Sequence, residues 1–160
     1  MRHIKSYKSF NENILVDAAV GIVSIIIVTA IRMTIAYMAN YTLDSIGNVV
    51  GNAVRYLSKY SRFLRAMEKN ESFTKEFGEL LNKKGGVEIF WSSRDVNDLL
   101  DDMFKLDSVR LLVDKYNLKE RDIWELKIQL NRTMMKADFR EFIKNKYYGE
   151  KNSISNQNKP

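Results

Sequence analysis

The chain has no cysteine, one histidine, one proline and only seven glycines in 160 residues. Without cysteine there is no disulfide framework, no thiol nucleophile and no cysteine-built zinc or iron–sulfur site. A lone histidine, His3, rules out the usual histidine metal clusters and leaves little for imidazole acid–base chemistry. The proline is the last residue, so long helices meet few breakers. The sequence also lacks a Gly-x-Ser-x-Gly elbow, a Gly-x-x-x-x-Gly-Lys phosphate loop, a Gly-x-Gly-x-x-Gly fingerprint and a His-Glu-x-x-His zinc motif. Ser72-Phe-Thr-Lys75 matches a Ser-x-x-Lys pair, but its companion Ser-Asp-Asn and Lys-Thr-Gly elements are absent. These absences favour a non-enzymatic protein with no cofactor and no small-molecule substrate.

What is present is apolar and basic. Apolar residues make up 45% of the chain, too many for a disordered polymer, and the length suits one domain. The net charge is +6 and the excess is uneven. Residues 41–84 carry eight basic and five acidic side chains; residues 85–160 carry fourteen and thirteen. A mild basic excess favours anionic partners, such as nucleic-acid phosphates or acidic lipid headgroups.

Four regions follow from the pattern: a leader over 1–12, an apolar helix over 13–42, a helical domain over 43–150 and a flexible polar tail over 151–160. In the apolar segment only residues 18–31 are free of charge, too few to cross a hydrocarbon core of about 20 residues. Taking 14–36 as the span gives enough length, with Asp17 near one end and Arg32 near the other, able to reach the interface. The same residues also suit the buried central helix of a soluble adaptor.

Ile46, Val50, Ala53, Leu57, Tyr60, Leu64 and Met67 are spaced alternately by four and three, an a/d seam for assembly on a helix over about 43–69. On that wheel Arg55, Arg62 and Lys69 take the outermost position, flanked by Lys59 and Arg65, which makes a face for an anionic partner. Gly47-x-x-x-Gly51 near its start would allow close helix approach.

Further helices are predicted over 72–84, ended by Gly85-Gly86, and from Ser92 through Phe104, capped by Ser92. Asp107-Ser108 begins another, and a break near Asn117 leads into a long helix over about 119–147. That long helix carries two apolar sets: Ile123, Leu126, Leu130, Met134, Ala137 and Phe142, beside Trp124, Ile128, Met135 and Phe139. Val87–Trp91 is the one strand-like run, and it has no partner. Asp95, Asp98, Asp101 and Asp102 read as the solvated face of their helix rather than a cation site. The expected fold is all-α: a long apolar N-terminal helix, then a bundle of about five helices.

The leader has its own pattern. Ile4, Tyr7 and Phe10 recur every three residues, with Arg2, Lys5 and Lys8 between them and Glu12 after. It resembles the N-terminal leaders of tailed-bacteriophage virion proteins, which start with methionine and a basic residue. Those leaders place aromatics near positions 7 and 10 and a glutamate two residues on. The resemblance covers residues 1–12 and implies packaging into the phage head. It also implies cleavage after a hydrophobic-x-Glu signal, here Phe10-Asn11-Glu12, leaving Asn13 as the new N-terminus. On this reading the chain is a virion-associated helical protein of head or neck assembly or genome delivery, partnered by itself or other virion proteins. The alternative is a bitopic protein of the host membrane with a cytoplasmic partner-binding domain. Basic residues flank both ends of the apolar run, so orientation stays open.

Overall fold

The structure is a computed structural model that describes the backbone of residues 21–40 and 50–157, with side chains over 21–40 and 57–149. Among the described residues there are seven α-helices, one 3-10 helix and no strand. They are α1 (Gly21–Asn40), α2 (Val50–Glu68), α3 (Glu71–Lys83), α4 (Ser93–Met103), α5 (Asp107–Lys115), α6 (Glu120–Met134) and α7 (Ala137–Gln157). The 3-10 helix, Gly86–Trp91, joins α3 to α4. The all-α expectation is therefore met: an apolar N-terminal helix and a helical bundle.

Capping explains most boundaries. Asn70 Oδ1 accepts from the Phe73 N–H at 3.0 Å and starts α3. Gly85 and Gly86 sit at φ +114° and +83°, a left-handed backbone that suits glycine and stops that helix. Ser92 Oγ accepts from the Asp95 N–H at 3.3 Å and starts α4. The cap of α5 comes from elsewhere in the chain. Glu76, on α3, accepts from the Ser108 N–H at 3.2 Å and from its hydroxyl, so a carboxylate sits at the positive end of α5. Asn117, at φ +52°, makes the expected break, and Leu118 N–H returns to Val113 O.

Three boundaries differ from the expectation. The Val87–Trp91 run is 3-10 helix: with two left-handed glycines before it and the Ser92 N–H donating to Ile89 O, it has no extended neighbour to pair with. Val87, Ile89 and Phe90 still turn into the core. The long helix over 119–147 is broken at Met135 and Lys136 into α6 and α7. The break lets Phe139 and Ile143 reach the core, where Phe139 meets Phe90 edge-on at 5.7 Å. Finally, α7 runs on to Gln157, so residues 151–157 of the expected flexible tail continue that helix.

The core is contributed by every helix. Phe63, Leu64 and Met67 of α2, Phe73 and Phe77 of α3, and Leu99 and Leu100 of α4 are fully buried. Leu126 and Met134 of α6 and Phe139 of α7 join them. Phe63 stacks on Phe104 at 6.2 Å and meets Tyr116 edge-on at 6.3 Å. α1 adds Val23, Ile26, Ile27, Ala30, Ile31, Thr34 and Met38, which recur at three- and four-residue steps and form its buried face.

Candidate assembly and anion-binding surfaces

Four contacts hold α1 on the bundle. At its start, Val23 lies against Gly78 of α3, where an added Cβ would stand 3.6 Å from Val23 Cγ1. Midway, Arg32 ion-pairs with Glu68 at the end of α2, at 2.9 Å. Next, Thr34 meets Thr133 of α6, hydroxyl to hydroxyl at 2.8 Å. Near its end, the Lys136 ammonium stands 3.3 Å from the centre of the Tyr37 ring. The opposite face keeps Ile25, Arg32 and Ala36 exposed. Arg32, expected to extend toward a membrane interface, is outward-pointing but paired with a carboxylate. Asp17, the other charge of that segment, lies outside the described residues, as do the leader residues Ile4, Tyr7, Phe10 and Glu12.

The α2 seam divides in the same way. Ile46 is outside the described residues, and Val50 and Ala53 are in α2 with side chains outside them. Leu57 is half-buried, while Tyr60, Leu64 and Met67 are buried in the chain's own core. The described part of the seam, Leu57 to Met67, therefore serves this bundle, packing α2 against α3 and α5 and into the ring cluster around Phe63.

On the outer face of α2 and the turn that ends it, Arg62, Arg65 and Lys69 are exposed, and no ion pair engages them among the described residues. Spaced by three and four, they form one ridge. Arg55 carries no described side chain. Lys59 belongs elsewhere. Its ammonium donates to Asp122 Oδ2 at 3.1 Å and to Asn117 O at 3.0 Å. Asp122 is buried and also accepts from the Tyr60 hydroxyl at 2.8 Å and from the Lys119 N–H at 2.9 Å. Burial works to raise the Asp122 pKa, but the Lys119, Tyr60 and Lys59 donors outweigh it and hold the carboxyl below the usual range. This network ties α2 to the start of α6; sequence periodicity shows Lys59 on the outer face but not the carboxylate that draws it in.

The α4 carboxylates are lysine partners. Asp102 pairs with Lys84 at 2.6 Å and Asp101 with Lys127 at 2.9 Å. The hydrogen bond to Lys84 holds the Asp102 pKa below its ordinary value, and the same bond raises that of Lys84. Among the described residues, no cluster of acidic or histidine side chains is arranged to hold a metal ion.

No protein-family model matches the chain, and no curated protein or solved structure is significantly similar to it. Two aromatic residues lie in solvent against the apolar pattern of their segments: Trp124, in the second apolar set of the long helix, is 62% exposed, and Trp91, in the Val87–Trp91 run, is 46% exposed.

Proposed function

We propose that the chain is a non-enzymatic helical protein of a bacteriophage particle, directed there by its leader and acting in head or neck assembly or genome delivery. Its partners are other copies of itself or other virion proteins, with phosphates of the packaged genome against Arg62, Arg65 and Lys69. The observation that best supports a packaged rather than an anchored protein is the seating of α1. Its apolar face is taken up by the chain's own bundle, through Val23 at Gly78 and Thr34 at Thr133. To lie alone in a bilayer, α1 would have to surrender that face and leave the bundle's core open to water.

The bitopic alternative draws on the same helix, whose 20 residues are long and apolar enough to cross a membrane by length and composition. One experiment separates the two. The full chain is expressed in bacteria, the membranes are washed with carbonate, and protein recovered from particles is sequenced from its N-terminus. The proposal expects recovery in the supernatant as a defined species, and a particle-borne protein that begins at Asn13. Retention in the washed pellet with release only by detergent, and an intact Met1, overturns it in favour of the membrane reading.

A further inference from the structure

Where the 3-10 helix passes the start of α7, a cleft of about 460 Å3 is lined by Trp91, Met135, Ala137, Arg140, Glu141, Lys144 and Asn145. Its volume falls within the range of small-ligand pockets, about 300–1,000 Å3. Arg140 is fixed in its wall: Nε donates to Phe90 O at 3.1 Å and one terminal nitrogen lies 3.0 Å from Met135 Sδ. No carboxylate pairs with this half-buried guanidinium among the described residues. Lys144 stands one helical turn further along α7, also exposed and outside any of those ion pairs. Tyr148, 39% exposed, follows at the next turn on the same face. Two cations, Arg140 and Lys144, thus lie between two exposed rings, Trp91 in the cleft wall and Tyr148 one turn beyond it on α7.

We propose that this cleft takes a nucleotide of a single-stranded nucleic acid, with the base against the Trp91 indole and the phosphate between Arg140 and Lys144. The rings decide the class of ligand. Bases stack on aromatic side chains without regard to sequence, and cations between the rings follow the backbone. An acidic peptide would use the two cations alone and leave the exposed Trp91 indole without a partner; Glu141, in the same lining, opposes either anion alike. The site is separate from the α2 ridge, uses none of its residues and does not depend on the particle reading.

The test uses the full chain carrying Trp124→Phe, which leaves Trp91 as the single tryptophan of the two in the sequence. A thymidylate oligonucleotide is titrated while Trp91 fluorescence is read, at salt from about 50 to about 300 mM. Quenching that saturates is expected. Lys144→Gln should weaken it and lower the slope of log affinity against log salt by about 0.7, the share of one phosphate contact on a single strand. With a labelled oligonucleotide, Trp91→Ala should weaken binding about tenfold. The triple variant Arg62→Gln, Arg65→Gln, Lys69→Gln should keep the Trp91 quenching. The proposal is overturned by an absence of quenching, by wild-type affinity in Trp91→Ala, or by polyglutamate binding as tightly as the oligonucleotide.

Discussion

The hydroxyls of Thr34 on α1 and Thr133 on α6 meet 2.8 Å apart inside the bundle, both side chains buried. Each also reaches the carbonyl one turn back in its own helix, Ala30 O at 2.7 Å and Gln129 O at 3.0 Å. Two hydroxyl protons thus serve three contacts, and one hydroxyl always accepts from the other or is satisfied by its own helix. This is how a helix as apolar as α1 carries a polar group into the core without leaving it unpaired.

Replacing either threonine alone by valine should cost about 1 kcal/mol, the net worth of one buried neutral hydrogen bond. Replacing both should cost less than the sum of the two, since either single replacement already removes the bond the two hydroxyls share. A double-mutant cycle by urea denaturation measures the coupling. Additive losses would mean that the two hydroxyls act independently.

The α2 seam predicts a graded response to truncation. Leu64 is fully buried and Leu57 only half-buried, so Leu64→Ala should cost about 3 kcal/mol and Leu57→Ala about 1 kcal/mol. Thermal denaturation followed by circular dichroism gives both values. Because Leu64 lies in the chain's own core, Leu64→Asp should unfold the protein rather than merely dissociate it, which size-exclusion chromatography distinguishes.

Asp122 makes the α2–α6 junction sensitive to acid. Its pKa is lowered in the folded chain, so its contribution is fully present above the unfolded carboxylate value of about 3.9 and is lost as pH falls through the lower folded value. Asp122→Asn should cost about 2 kcal/mol at neutral pH, with the gap to wild type closing as pH falls below about 4. Denaturation at several pH values follows that gap; a constant difference would assign the loss to packing instead of charge.

Gly78 sets the approach of α1 to α3. An added Cβ would meet Val23 at ordinary contact distance, so Gly78→Ala should be tolerated and should stabilise by about 0.5 kcal/mol through helix propensity. Gly78→Leu has no such room and should displace α1, read as increased amide exchange in α1.

Arg32 pairs with Glu68 but keeps 72% of its side chain exposed, so Arg32→Leu should change stability by less than about 1 kcal/mol. In a bilayer the same substitution would favour insertion of α1. Solubility of this variant after carbonate extraction therefore tests the seating of α1 under the conditions least favourable to it.

Much of the fold was legible in the sequence. Helical periodicity marked the buried faces of α3 and α4, Asn117 and Gly85-Gly86 marked two breaks, and scarce glycine and proline left long helices few breakers. These are local properties, set by the 3.6-residue repeat and by backbone sterics, and they need no knowledge of neighbours. The break between α6 and α7 had a faint signal: the buried residues step by five from Met134 to Phe139, a spacing one continuous helix does not keep on one face. The tertiary structure decided the rest. An apolar helix looks the same from its sequence whether lipid or protein covers it, and it takes Gly78, Thr133, Glu68 and Lys136 from distant positions to give α1 its seat. A lysine on an outer face looks like its neighbours until a carboxylate such as Asp122, 63 residues on, draws it in. Likewise Trp91 and Arg140, 49 positions apart, share a cleft because the break before α7 turns Phe139 inward and sets Arg140 on the carbonyl of Phe90. Contacts of this range depend on how the helices dock, and no local repeat encodes them.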